Sequence, residues 1–327
     1  MRTLVAVVLG ALAAGISSVG HAQDVWPSRP ITLVVPYGAG GYTDLIGRMT
    51  ASFLERELGK AVVVENRAGA GGLLGTGFVA RSEADGYTFC VCSVGAISVV
   101  PFAGNQTVTY DPVKDLAPIS IVSTISQAVI VKNALPINSM SEFVAHAKAN
   151  PGALSYGSSG LGGLTHYAVE LFQSRTGIKV NHIPYKTGAQ GVLAVVAGTI
   201  DFAFANMTDA LPQIEAKTVR GLAVTSGERS PYFPNLPTVH ESISPNFMVD
   251  TWNGIMAPAK TPEPIIRRMA TILAKMADDP KVQKTMTESG ATAVKTTPEQ
   301  YAKQIQAEIA QWKPLLAEIA ATNKSKN

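Results

Sequence analysis

Apolar positions in this chain fall into short continuous runs alternating with segments of helical period. Ile31–Val35 is an apolar run that ends at Pro36. After a Gly-rich stretch, Leu45, Ile46, Met49, Phe53, Leu54 and Leu58 share one face, with Arg48, Glu55 and Glu57 off it, which predicts an amphipathic helix. Residues 61–65 read as the next strand, a second Gly-rich turn at Gly69–Gly72 leads into a helix through Ala80, and residues 88–92 read as a third strand. The pattern restarts further on. Leu154–Tyr156 is a strand before another Gly-rich turn, and Leu164, Tyr167, Ala168, Leu171 and Phe172 then repeat at helical spacing. Residues 179–183, 202–205 and 221–225 read as strands, and 190–197 as a helix. Near the C-terminus, Pro264 and Pro298 each open a helix, where proline suits the first turn. Pro314 lies inside the second stripe and is expected to kink or end it, and residues 322–327 read as a frayed tail.

Strand–helix alternation predicts mainly parallel sheets flanked by helices. Its repetition in 327 residues predicts two α/β lobes. We expect lobe one to be 24–124 plus 248–327 and lobe two 125–247, so the chain crosses between them at least twice, which suits hinge closure.

Composition adds little to the fold and more to the compartment. At 46% hydrophobic and 16% charged residues the chain can bury sizeable cores. Arg2, the apolar run 4–16 and the small residues Gly20 and Ala22 read as a secretory signal peptide over 1–22, cleaved after Ala22. The run is shorter than the roughly 20 residues of a membrane span. The remainder carries 26 basic and 24 acidic residues, a net charge of +2, with no Lys/Arg-rich run and so no case for nucleic acid. Cys90 and Cys92 alternate along a strand, both on one face, with Cα atoms near the upper limit for a disulfide; we read them as two buried free thiols. No zinc-ligand spacing is present, and no metal or cofactor is expected.

Candidate chemistry lies in two turns, each after a strand and before a helix. One is Pro36–Asp44 (Tyr37, Gly38, Ala39, Gly40, Gly41, Tyr42, Thr43), the other Gly157–His166 (Ser158, Ser159, Gly162, Gly163). Glycine admits close backbone approach, and a helix N-terminus favours an anion. Ligands of open α/β sheets sit beyond the carboxyl ends of the strands. Two such turns can therefore grip one carboxylate from both sides. Thr43 and Asp44 either cap the following helix or touch ligand, and Ser158 and Ser159 either bind an acceptor or stabilise their turn. Enzyme readings fail. Leu161 breaks a GxSxG pattern, no P-loop exists, and Gly75–Ala80 fits a dinucleotide pattern but sits inside a helix. His166, His182 and His240 are scattered and read as structural. Asn105 and Asn206 match glycosylation acceptors, which matter only in a eukaryotic host.

With these segments placed, the chain resembles the substrate-binding proteins of tripartite tricarboxylate transporters, the Bug receptors. The matching stretches run in family order. Residues 36–44 resemble the family's first turn. Glu65–Gly72, Asp85–Thr88, Tyr110–Pro112 with Lys114 and Asp115, and Gly157–His166 follow. Then come Pro184–Lys186, Gly198–Asp201, Leu222–Thr225 with Glu228 and Arg229, Leu236–Thr238 with Glu241, and Ala257–Pro258 with Thr261–Pro262. The resemblance implies a two-lobed periplasmic-binding-protein fold, no catalysis, and a ligand carboxylate held at both turns largely by backbone groups and bound water. It implies a periplasmic, monomeric solute receptor that delivers a small carboxylate to membrane permease subunits. The alternative is a sensor presenting ligand to a signalling system. His166 and Tyr185 join the expected site through the family stretches, and Asn206 and Asp209 are expected at the far end of the ligand, where selectivity is set. Three departures stand out. Gly163 replaces a frequent Ser or Thr, Thr187 precedes Gly188 and displaces the family's Gly, and Tyr42 occupies a usually small position. The Tyr42 ring either roofs the pocket and stacks on an aromatic acid or points to solvent.

Overall fold

The computed structural model describes residues 26–324 except Asn105 and Pro231, so the expected signal peptide and the Asn105 acceptor lie outside the described residues. The first lobe-like segment runs β1 (Ile31–Val35), α1 (Tyr42–Leu58), β2 (Val62–Asn66), α2 (Leu73–Ala80) and β3 (Thr88–Ser93). A long strand, β4 (Leu116–Lys132), leads to α3 (Met140–Ala149), β5 (Ser155–Ser158), α4 (Leu164–Thr176), β6 (Asn181–Pro184) and α5 (Gly188–Val196). Next come β7 (Phe202–Asn206), α6 (Met207–Glu215), β8 (Val219–Val224) and α7 (Val239–Ser242). The chain returns through β9 (Asp250–Pro258) to α8 (Glu263–Asp278), α9 (Pro280–Glu288), β10 (Thr292–Ala293) and α10 (Pro298–Lys324).

Sheet order is β2-β1-β3-β9-β4-β7-β5-β6, with β8 and β10 also on β4. Most strands that the alternation predicts pair in parallel, β1 with β2 and β3, and β5 with β6 and β7, whereas β8 pairs antiparallel with β4. The two crossover strands, which it does not single out, pair antiparallel. Leu116–Ser126 of β4 lies against β9, and the rest of β4 lies against β7 and β8. The expected seam at 124/125 thus falls inside β4, and that at 247/248 just before β9.

Strands β1 and β3 are largely apolar because both faces are covered. Ile31, Leu33 and Val35 pack into one core, and Val34 into the other. Phe89 and Val91 join the first of these cores, Cys90 and Cys92 the second. The two cysteines are fully buried, but they form a disulfide, not the free thiols expected. The strand is locally contracted, so their Cα atoms are 5.2 Å apart, against roughly 6.6 Å for two residues of regular strand. Pro314 does not end α10, which continues to Lys324. Ile305, Ile309, Trp312, Leu316 and Ile319 are buried on both sides of it, and this burial outweighs the helix-interior cost of proline.

Candidate functional site

Several strands on both sides of the crossover deliver a loop or helix start to one cavity. The end of β1 supplies Tyr37, Gly38 and Gly41, and α1 opens with Tyr42 and Thr43. The end of β3 supplies Ser93, Val94 and Gly95. From the other side come Ser159 with Leu164 and Thr165 of α4, Lys186, Thr187 and Gly188 before α5, and Asn206 and Asp209 at α6. Thr251 of β9 completes the wall. The cavity volume is about 50 Å³. A wider cleft of about 570 Å³ shares Tyr37, Gly38, Ser159 and Lys186 with it and is otherwise lined by residues such as Ala68–Gly72, Gln106 and Tyr185.

Four helix N-termini therefore meet on the inner chamber. The starts of α1, α4 and α6 receive no hydrogen bond from the side chain of their own N-cap residue. Two of those N-caps, Gly41 and Gly163, have no side chain to give one. Only α5 is capped, by Thr187, whose hydroxyl accepts from Gln190 N–H at 3.3 Å. Each helix start presents unbonded N–H groups and roughly half a positive charge. A cavity bounded by several of them attracts an anion without needing an Arg clamp.

The first turn is held from behind. Asp44 accepts from Gly40 N–H at 2.9 Å, from Asn66 Nδ2 at 2.9 Å and from Arg48 Nε at 3.0 Å. Burial pushes its carboxyl up, but the bonds from Arg48, Gly40 and Asn66 outweigh this and hold it below the ordinary carboxylate value. Tyr37 Oη donates to Gly71 O at 3.1 Å and pairs with Ser93 Oγ at 2.8 Å, and burial pushes its phenol up to about 12. Tyr42 does not point to solvent. Its ring is buried against the chamber and its hydroxyl donates to Ser123 Oγ of β4 at 2.8 Å. Thr43 Oγ1 accepts from Asn253 Nδ2 at 3.2 Å.

The second turn is organised by its polar residues. Ser158 is 2% exposed and lies off the chamber wall, its hydroxyl donating to Gly160 O at 3.1 Å and sitting 2.6 Å from His182 Nε2. Although this resembles a nucleophile–base pair, it faces the turn. His166 Nδ1 accepts from Gly162 N–H at 3.2 Å, and its ring stacks on His182 at 4.2 Å. Burial lowers both imidazoles from 6.5 to about 4, and for His182 the neighbouring His166 adds to the effect. Ser159 faces the chamber with its hydroxyl bonded to Thr165 Oγ1 at 2.9 Å.

Of the residues expected at the site, the structure brings together Tyr37, Gly38, Gly41, Tyr42, Thr43, Ser159, Asn206 and Asp209. Ala39 and Gly40 are exposed and off the chamber wall, Asp44 is buried behind the first turn, Ser158, Gly162, Gly163 and His166 lie off the wall at the second, and Tyr185 lines only the wider cleft. Tight turns explain this split: alternate residues must face away from the ligand to hold the loop. Sequence reasoning missed Ser93–Gly95, Lys186–Gly188 and Thr251. The first group follows β3 and the second follows β6, so the rule that ligands sit beyond strand ends pointed to both. Thr251 carried no signal, because β9 itself was not read. Among the described residues, no group of three or more His, Cys, Asp or Glu is placed to hold a metal ion, and no helix is long and apolar enough to cross a membrane.

Comparison with known proteins decides the family. The profile of the tripartite tricarboxylate transporter family receptor matches residues 46–321. The chain belongs to this family. It is 35% identical to protein BugT of Bordetella pertussis over 323 residues, covering 99% of each chain. Rpa4515 of R. palustris with adipate has the same fold, with a TM-score of 0.85 at 32% identity, over 90% of this chain and 98% of that one. MatC from Rhodopseudomonas palustris with bound malate superposes with a TM-score of 0.83 at 27% identity, over 89% and 99%. This receptor thus shares fold and family with solute-binding proteins, and the chamber lies at the strand ends where its first-turn residues meet the α4–α6 side.

Proposed function

We propose that this receptor captures the carboxylate of a small organic acid in the inner chamber and delivers the acid to membrane permease subunits. The observation that carries the reading is the meeting of four helix N-termini on one cavity. Anion binding there draws on N–H groups already fixed by the fold, so little reorganisation is needed on capture. The adipate and malate bound to Rpa4515 and MatC support an organic acid as ligand class.

In this reading residues 24–124 plus 248–327 form one lobe and 125–247 the other, with β4 and β9 as the hinge. We read the arrangement described as the closed one. A Cβ on Gly38 would lie 3.1 Å from Thr187 Cγ2, and one on Gly71 would lie 3.0 Å from Gly162 O, so the lobes meet at glycines. The protein works in the periplasm as a monomer after removal of residues 1–22. A thermal-shift screen of the mature protein against aliphatic dicarboxylates, citrate, acidic amino acids and aromatic acids tests the reading. A rise of several degrees with one class is expected, since a ligand that binds only the folded state stabilises it by mass action. No rise with any acid, in folded protein stripped of carried-over ligand, would refute it.

A further inference from the structure

At the α6 end of the chamber the polar groups change character. Asp209 lines the cavity, and among the described residues no hydrogen bond or ion pair reaches its carboxylate. Asn206 Oδ1 and Thr251 Oγ1 line the same cavity, are buried, and have no partner. Thr251 is only 7% exposed. Buried polar groups of native proteins find partners. Three groups left open on one cavity therefore point to a ligand that brings hydrogen-bond donors.

An acid in the first turn of a helix is ordinary, because it complements the helix dipole. Asp209 occupies that position in α6. Yet the neighbouring backbone has been thinned to admit it: a Cβ at Gly188 would lie 2.7 Å from Asp209 Oδ2. The start of α5 thus closes directly on the carboxylate. Lys186, the cation on the cavity wall, is exposed and makes no ion pair with it among the described residues.

We infer that the ligand is an amino acid-type zwitterion, whose carboxylate sits at the helix N-termini and whose ammonium is held by Asp209, Asn206 Oδ1 and Thr251 Oγ1. This rests on the carboxylate-receptor reading above and narrows it. An ammonium carries three N–H donors, one for each open group. Charge-assisted bonds to Asp209 are the strong ones among the three. A second carboxylate reaching the same end would face Asp209, which disfavours a plain dicarboxylate of that length. Burial pushes the Asp209 carboxyl from 3.8 up to about 7 in the empty cavity, consistent with a group that lacks its counter-charge. The small chamber suits a compact ligand, with any longer tail passing into the wider cleft.

Matched pairs test this by titration calorimetry: L-aspartate with succinate, L-glutamate with glutarate, and 4-aminobutyrate with butyrate. In at least one pair the amino member binds the wild-type protein tenfold or more tighter, and Asp209→Asn lowers that preference at least tenfold. Asp209→Glu, which restores a carboxylate, retains part of it. Desamino acids that bind as tightly as their partners in every pair would overturn the inference and leave the carboxylate reading standing. A preference untouched by Asp209→Asn would also overturn it. If no acid of either kind binds, both readings fall. Should Asp209→Asn not fold, as judged by its melting transition, the wild-type pair ratios with Asp209→Glu decide.

Discussion

Gly38 is a residue at which the two sides of the inner chamber come close. Its missing side chain leaves room for Thr187 Cγ2, which a Cβ would approach to 3.1 Å. Gly38→Val therefore holds the turn away from Lys186–Gly188, and we expect it to weaken acid binding more than tenfold by calorimetry with an unchanged melting temperature for the empty protein. Gly40 acts differently. It has φ +83°, and a Cβ there would have no atom within 4 Å, so a side chain meets no wall. Gly40→Ala strains the backbone by about 1 kcal/mol, a loss seen in stability more than in affinity. Tyr42→Phe removes the bond to Ser123 and leaves that hydroxyl buried. We expect about 1 kcal/mol of destabilisation in urea. Sequence reasoning found the glycines of the first turn because the strand–glycine–helix order is local. It could not settle Tyr42, whose partner lies 81 residues away.

Among the elements, the two turns differ in what holds them. The first is fixed by an ionised carboxylate, Asp44, and the second by neutral imidazoles, His166 and His182. The histidines have folded values near 4, below their ordinary 6.5. The unfolded chain then binds protons at a pH where the fold does not. Stability from this cluster is full above about 6.5 and is lost as pH falls towards 4. The melting temperature should drop across that window, and His166→Gln with His182→Gln should flatten the drop. A drop unchanged in the double variant would assign it to other groups. The helices and parallel strands around these turns were legible because their period is local: β1, α1, β5 and α4 all fall where the apolar pattern puts them, within a few residues. The helix start at Tyr42 and the continuation of α10 past Pro314 were not, since tertiary packing decides both.

For the molecule as a whole, two antiparallel crossovers join the parallel parts of the sheet. β4 and β9 pair along Leu116–Ser126, with register shifts between Pro118 and Ser120 and between Ile121 and Ser123. These strands pass through both cores and carry no turn signal of their own, which is why the alternation pattern is silent on them. The disulfide at Cys90–Cys92 was likewise hidden, because it depends on a local contraction of β3 that composition does not encode. In the proposed reading, two lobes hinged on these two strands close around a ligand as rigid bodies. The close approaches at Gly38 and Gly71 join the two proposed lobes. Gly71→Leu, placed against Gly162 O, should enlarge the radius of gyration by solution scattering, and ligand should not restore it.

We propose that helix N-termini in the inner chamber select an anion, and on this the whole functional reading depends. Calorimetric titration of the tightest-binding acid beside its primary amide, which has the same shape but lacks the carboxylate charge, tests it most directly. The amide is expected to bind at least a hundredfold more weakly, or not measurably. An amide that binds as tightly as the acid would contradict selection by charge.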